Sequence, residues 1–476
     1  MDIKVRPGRL SGEVKAPPSK SMAHRALICG ALTSGTCRIS GISGSKDMEA
    51  TMGCMRALGA VIEQIPGTLD INITGIFAPG NGKTGRPDGE QPPLLDCIES
   101  GSTLRFILPV AAALGQKASF TGRGKLPERP MTPLADEMKK KGIVFSPDGR
   151  DSLPFTIEGQ LQPGVYEIPG NISSQYISGL IFALPLLKGD SQIRIIGKLE
   201  SAGYIALTLQ MVRDFGIDVA ETDYGFSIRG GQTYRASDTE VEGDYSNAAF
   251  WMAAAACGSD LTVTGLRADS AQGDRKAAAI LAQAGADVSC SLAAGPYKGN
   301  SESGNMSRGA EAMPYIKMAE LAENGRLPED RRIVSFKIDG SSMQGISVDS
   351  HDIPDIVPIL SVAAAAASGT TLFYDAGRLR IKESDRLAAM SDCLTRLGCT
   401  VRESEEELEV TGGSLQGGCS VSGYNDHRIV MSMAIAALMC REPVIIEGAE
   451  AVTKSYPDFF DEFRRLGGRA DVITDR

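Results

Sequence analysis

Six cationic side chains, Lys20, Arg25, Arg105, Arg129, Arg428 and Lys454, stand in or beside short polar segments that precede apolar stretches. A guanidinium presents a planar fork of donors that matches a carboxylate or phosphate, and an ammonium supplies a compact point charge. Two further segments concentrate charge. Lys382-Glu383-Ser384-Asp385-Arg386 lies just ahead of an amphipathic run at 387–397, and Asn425-Asp426-His427-Arg428 carries one of only three histidines, His24, His351 and His427. Neither the histidines nor the ten cysteines have spacings suited to a metal, and no C-x-x-C pair occurs. These residue types point to the capture of small phosphorylated and carboxylated molecules, without a metal.

The elements that must position these side chains repeat. A glycine turn recurs at Gly59, Gly142, Gly216, Gly285, Gly398 and Gly467, each between a helical and an extended pattern. The fourth-to-fifth interval exceeds the others by about 40 residues, which places an insertion within roughly 291–334. That stretch, rich in Gly, Ser, Asn and charge, reads as a surface excursion with a short helix within 313–324, and 76–93 reads as an exposed loop.

Each repeat opens with a helix poor in charge, at 26–32, 104–114, 177–187, 248–257, 356–367 and 429–439, and such helices must be buried. Ahead of them stand Ser19-Lys20-Ser21, Ser100-Gly101-Ser102-Thr103, Ser173-Ser174-Gln175, Asp244-Tyr245-Ser246-Asn247, Ile353-Pro354-Asp355 and Asn425-Asp426-His427-Arg428. Five of the six offer plain N-cap chemistry. One such end is only a cap. Six related ends, each with partial positive charge and open N–H groups, suggest a shared anion site.

Composition narrows the class. A chain of 476 residues with 42% hydrophobic and 23% charged residues suits two globular domains. A net charge of −10 argues against nucleic acid, and the longest apolar stretches fall short of a membrane span. Met1-Asp2-Ile3-Lys4-Val5 lacks the features of a secretory signal, so a cytoplasmic location with reduced core thiols is expected. Gly80-Asn81-Gly82-Lys83-Thr84 ends like a nucleotide-binding P-loop, but Phe77 stands where its first glycine is required. Gly122-Arg123-Gly124-Lys125 fails similarly.

Taken in order, Pro18-Ser19-Lys20-Ser21, Ser100-Gly101-Ser102-Thr103-Leu104-Arg105, Glu128-Arg129-Pro130, Asn171-Ile172-Ser173-Ser174-Gln175-Tyr176, Ile353-Pro354-Asp355, Lys382-Glu383-Ser384-Asp385-Arg386, Asn425-Asp426-His427-Arg428 and Lys454-Ser455-Tyr456-Pro457-Asp458 resemble the EPSP synthase (3-phosphoshikimate 1-carboxyvinyltransferase) family. The resemblance spans nearly the whole chain outside the two loop regions. It implies an α/β (α+β) enolpyruvyl transferase fold, a two-lobed inside-out α/β barrel of six βαβαββ-type repeats. Three repeats would fall in an N-terminal lobe at 18–242 and three in a C-terminal lobe made of 1–17 plus 243–476.

The implied reaction moves the enolpyruvyl group of phosphoenolpyruvate to the 5-hydroxyl of shikimate 3-phosphate and releases phosphate through a tetrahedral intermediate. The resemblance implies no cofactor, no nucleic-acid or membrane partner, and a monomer. By position, shikimate 3-phosphate would contact Lys20, Ser21, Arg25, Ser173, Ser174, Gln175, Ser201, Tyr204, Asp355 and Lys382. Phosphoenolpyruvate would meet Lys20, Gly101, Arg129, Gln175, Arg386, Arg428 and Lys454. Asp355 would act as base, Glu383 would shuttle protons at the methylene carbon, Lys20 would assist phosphate departure, and His427 would support. Glu99, Arg378 and His24 depart from residues usual in the family. Two alternatives stand beside this reading. UDP-N-acetylglucosamine enolpyruvyl transferase shares the fold but lacks this combination of motifs, and a catalytically silent anion-binding homologue would keep the fold without the chemistry.

Overall fold

A computed structural model describes residues 1–79, 91–147, 149, 151–293, 313–324 and 333–474, and the segment 80–84 that ends like a P-loop lies outside them. The chain forms two compact units, one made of residues 1–19 and 242–476, the other of residues 20–241.

Each unit contains three small sheets built alike. In the 20–241 unit, Leu94–Asp96 runs parallel to Ala118–Thr121, and the helix Gly101–Ala113 connects them. The helix Thr132–Lys140 then leads to Val144–Ser146, and Phe155–Glu158 enters between the second and third strands, antiparallel to both. Chain order is thus βαβαββ. Leu95, Phe120, Phe145, Phe155 and Ile157 turn inward, while Leu94 and Val144 on the opposite face are exposed.

Two sheets of the other unit borrow their strands from the start of the chain. Ser11–Lys15 pairs in parallel with Asp260–Arg267, and Asp2–Val5 lies between Val444–Glu447 and Ala470–Thr474. The short strand Thr239–Glu240 plays the matching part in the 20–241 unit, where it pairs with Thr36–Ser40.

All six glycines of the repeated turn have positive φ, between +80° and +113°, and each follows the second helix of its repeat. In the first, Gly59 N–H donates to Arg56 O and Ala60 N–H reaches back to Met55 O. The same reach recurs at Ile143, Ile217, Ala286, Cys399 and Gly468. This closure requires the left-handed residue that glycine adopts without a Cβ clash.

The first helices of the repeats, Lys20–Ala31, Gly101–Ala113, Ser174–Ala183, Tyr245–Ala256, Val357–Ala366 and His427–Met439, are buried almost throughout. Side-chain caps close four of them, with Ser100 accepting from Thr103 N–H, Ser173 from Gln175, Asp244 from Asn247 and Asp426 from Arg428. The fifth corrects the capping pattern expected from sequence. Val357–Ala366 begins at Ile356 with no side-chain cap, and a proline in its first turn removes one of the amides that would need a partner.

The insertion is a detour within one hairpin. Asp287–Ala293 and Ile333–Asp339 pair antiparallel from Asp287↔Asp339 to Ala293↔Ile333, and the extra residues leave and return between them. Its described part holds the helix Tyr315–Glu323 and a two-residue strand, Met313–Pro314, against Cys290 and Ser289. All ten cysteines are free thiols, and eight are buried.

Candidate active site

In the unit built from 1–19 and 242–476, charge gathers around one guanidinium. Arg386 opens the helix Arg386–Arg396, which Asp385 caps by accepting from Ala388 N–H. The Arg386 side chain is 1% exposed, and each of its three nitrogens meets a different carboxylate. Nη1 donates to Asp355 at 2.8 Å, Nη2 to Glu383 at 2.7 Å and Nε to Asp426 at 2.8 Å. Burial works against its charge, but Asp426, Glu383 and Asp355 outweigh that and hold its pKa above the usual arginine value.

Asp355 is the crossing point. Arg428 donates from Nη1 to its main-chain oxygen at 2.8 Å and from Nη2 to its carboxylate at 3.1 Å, and Lys382 Nζ lies 3.6 Å away. Burial alone would raise the Asp355 pKa, yet Arg428, Lys382 and Arg386 together hold it well below the usual carboxylate range. Lys382 is shifted the other way, down to about 8, because burial and the neighbouring Arg378 and Arg386 outweigh the help of Asp355. His427 has Nδ1 3.8 Å from Asp426 Oδ1, and Lys454 Nζ donates to Asn425 O at 2.7 Å. The expected residues Asp355, Lys382, Glu383, Arg386 and Arg428 therefore form one connected network, with His427 and Lys454 at its edge.

The sequence reading assigned no site role to Asp426. It caps His427–Met439, accepts from Ser384 Oγ at 3.0 Å and pairs with Arg386, with its side chain fully buried. The signal was present in Asn425-Asp426-His427-Arg428, where Asp426 read only as an N-cap.

In the 20–241 unit a second group forms. Arg25 donates to Thr208 Oγ1 at 2.8 Å and to the carbonyls of Ser21 and Tyr204, both at 2.6 Å, and its guanidinium lies 5.1 Å over the Phe106 ring. Burial lowers its pKa to about 10, so it stays cationic at neutral pH. Lys20 Nζ pairs with Asp47 at 2.9 Å. Burial first, then Lys20 and Arg25, push His24 well below its ordinary value, so its ring is neutral. The departure at His24 thus adds no charge beside Lys20.

Glycine sets two close approaches here. A Cβ on Gly179 would lie 2.2 Å from Arg105 O, so Ser174–Ala183 packs directly on Gly101–Ala113. That contact lets Arg105 reach Gln175 Oε1 at 2.7 Å, while Gln175 Nε2 donates to Ser102 Oγ at 2.8 Å. A Cβ on Gly101 would lie 2.7 Å from Arg129 Nη1, so the guanidinium rests against bare backbone at the helix start. Ser173 and Ser174 are buried at the head of Ser174–Ala183, and Ser201, at φ +55°, precedes the helix Ala202–Asp214 that carries Tyr204. Cations, hydroxyls and helix N-termini of this unit are thus of the kinds that bind anions.

A family model described as EPSP synthase (3-phosphoshikimate 1-carboxyvinyltransferase) matches residues 5–463. The chain belongs to the EPSP synthase family. A relative in this family, the 3-phosphoshikimate 1-carboxyvinyltransferase of Clostridioides difficile (strain 630), is 41% identical over 472 residues, 98% of each chain. Another EPSP synthase relative, from Clostridium beijerinckii, is 42% identical over 473 residues, 99% of this chain and 98% of its own. A solved EPSP synthase from Acinetobacter baumannii superposes with a TM-score of 0.75 at 25% identity, covering 99% of this chain and 100% of that one. The enolpyruvyl transferase NikO of Streptomyces tendae shares the fold, with a TM-score of 0.71 at 15% identity over 99% of this chain and 98% of its own. The EPSP synthase fold expected from sequence, mixed α/β with several sheets, is the one observed. No helix among the described residues is long and apolar enough to cross a membrane.

Proposed function

We propose that this chain transfers the enolpyruvyl group of phosphoenolpyruvate to the 5-hydroxyl of shikimate 3-phosphate and releases inorganic phosphate. The observation that carries the proposal is Asp355, an ionised carboxylate enclosed by Arg386, Arg428 and Lys382. Cations already gathered around a base suit a reaction between two anions. When a substrate carboxylate or phosphate takes over part of that positive charge, Asp355 loses the stabilisation that depresses its pKa and becomes a stronger base.

Asp355 then removes the proton of the 5-hydroxyl as its oxygen attacks C2 of phosphoenolpyruvate, and Glu383 delivers a proton to the methylene carbon. In the second half Glu383 takes a methyl proton back, the C2–O bond to phosphate breaks, and Lys20 neutralises the leaving group. Arg129, Arg386, Arg428 and Lys454, with Gly101 and Gln175, hold phosphoenolpyruvate. Ser21, Arg25, Ser173, Ser174, Gln175, Ser201, Tyr204 and Lys382 hold shikimate 3-phosphate, and His427 supports the carboxylates beside it. The family's UDP-sugar counterpart and a silent anion binder are tested together by phosphate release, offering phosphoenolpyruvate with either shikimate 3-phosphate or UDP-N-acetylglucosamine. Release with the first acceptor alone is expected; release only with the second, or with neither, refutes the proposal.

A further inference from the structure

Asp274 has no part in the scheme above. It is 3% exposed, in the short turn Gly273–Arg275, and Ser246 Oγ donates to its Oδ2. Ser246 belongs to the first turn of Tyr245–Ala256, which Asp244 caps. The Asp274 turn packs against the segment that carries Asp355, since a Cβ on Gly273 would lie 3.3 Å from Asp352 O, and Lys276 Nζ donates to Asp352 at 3.1 Å. The charged groups around Asp274 are Asp355 from that segment, Arg428 from His427–Met439, and Asp244 from the start of Tyr245–Ala256. Five carboxylates, Asp244, Asp274, Asp355, Glu383 and Asp426, thus lie among four cations, Arg378, Arg386, Arg428 and Lys382. An incoming anion adds negative charge to a network already short of positive charge.

We propose that Asp274 is a proton-holding positioning residue: its buried carboxyl takes up one proton from solvent as an anion settles on Arg428. This rests on the function proposed above, which assigns phosphoenolpyruvate to Arg428. Protonation removes a charge that repels both the ligand and Asp355, and it leaves more of the Arg428 charge to act on the ligand. Burial, then Asp355, raise the Asp274 pKa to about 7 against the pull of Arg428 and the Ser246 hydroxyl, so the group is poised to titrate near neutrality. Ligand charge pushes it further up. Proton uptake should therefore peak slightly above neutral pH and vanish in acid, where Asp274 is already protonated.

The test is calorimetric titration of phosphoenolpyruvate into protein saturated with the 5-deoxy analogue of shikimate 3-phosphate, which cannot react, in buffers of different ionisation enthalpy. Wild-type protein should take up several tenths of a proton more than Asp274→Asn slightly above neutral pH, and the difference should disappear in acid. Ser246→Ala removes a donor that favours the ionised form, so its uptake profile should move to higher pH; this keeps the test decisive if Asp274→Asn does not fold. Binding with equal uptake in wild type and Asp274→Asn, or an unmoved profile in Ser246→Ala, overturns the inference alone. Absence of binding overturns the proposed function and this inference with it.

Discussion

Replacing Arg386 by lysine should cost this protein about 4 kcal/mol of stability, at the level expected when a buried ion network loses its centre. One ammonium replaces three donor nitrogens aimed at Asp355, Glu383 and Asp426. Asp426 is the dominant loss, because its side chain is fully buried. Removing one member of a buried pair costs about 3–5 kcal/mol, and the low end applies because Asp426 keeps Ser384 Oγ and Arg428 N–H. Asp355 and Glu383 retain some solvent, and Asp355 keeps Arg428 and Lys382, so together they add about 1 kcal/mol.

The readout is built in. The single tryptophan, Trp251, is buried in Tyr245–Ala256 and stacks on Phe459 at 5.1 Å, within the same unit as Arg386. Denaturant unfolding followed by tryptophan fluorescence therefore reports that unit. At roughly 2–4 °C per kcal/mol for a domain near this size, Tm should fall by about 8–16 °C. Adding Asp426→Asn should cost much less than in the wild-type background, because the carboxylate left unpaired is then neutral. A loss below about 1 kcal/mol, or full additivity of the two changes, would refute the idea that Arg386 holds the network together.

Gly101→Ala places a methyl 2.7 Å from Arg129 Nη1, the movable end of a side chain, so stability should barely change while the guanidinium is displaced. The KM for phosphoenolpyruvate should rise roughly tenfold or more, as expected from weakening a charge-assisted bond, and an unchanged KM contradicts that placement. Lys382, with its pKa lowered to about 8, loses its charge as pH rises through that value. Affinity for shikimate 3-phosphate should therefore be full below pH 8 and fall above it, whereas Lys382→Arg should keep affinity to higher pH; parallel profiles would exclude Lys382. Arg428→Ala should weaken phosphoenolpyruvate binding by about 1.5–3 kcal/mol, measured by equilibrium titration, and unchanged affinity would remove Arg428 from the site.

The repeats were legible because their signal is local. A left-handed residue after a helix demands glycine, so Gly59 and its five counterparts mark the second helix of every repeat. Helices such as 248–257, nearly free of charge, had to be buried. Strand partners were not legible, because pairing Val14 with Val263 depends on contacts far apart in sequence. The cations of the site could be read as an ordered series, but not their partners. Asp355 reads as part of a capping segment and, through the resemblance, as the base, but only folding shows its carboxylate bonded to Arg386 and Arg428. Asp274 sits in a segment, Gln272-Gly273-Asp274, that carries no chemical signal of its own.

The most direct test of the account is a single-turnover experiment with enzyme in excess over shikimate 3-phosphate and phosphoenolpyruvate, comparing wild type with Asp355→Ala. Wild type should give enolpyruvyl product and stoichiometric phosphate, and the folded Asp355→Ala variant a rate lower by about 10²–10⁴, as for a lost general base. Tight binding without product in wild type, or an undiminished rate in Asp355→Ala, would contradict it.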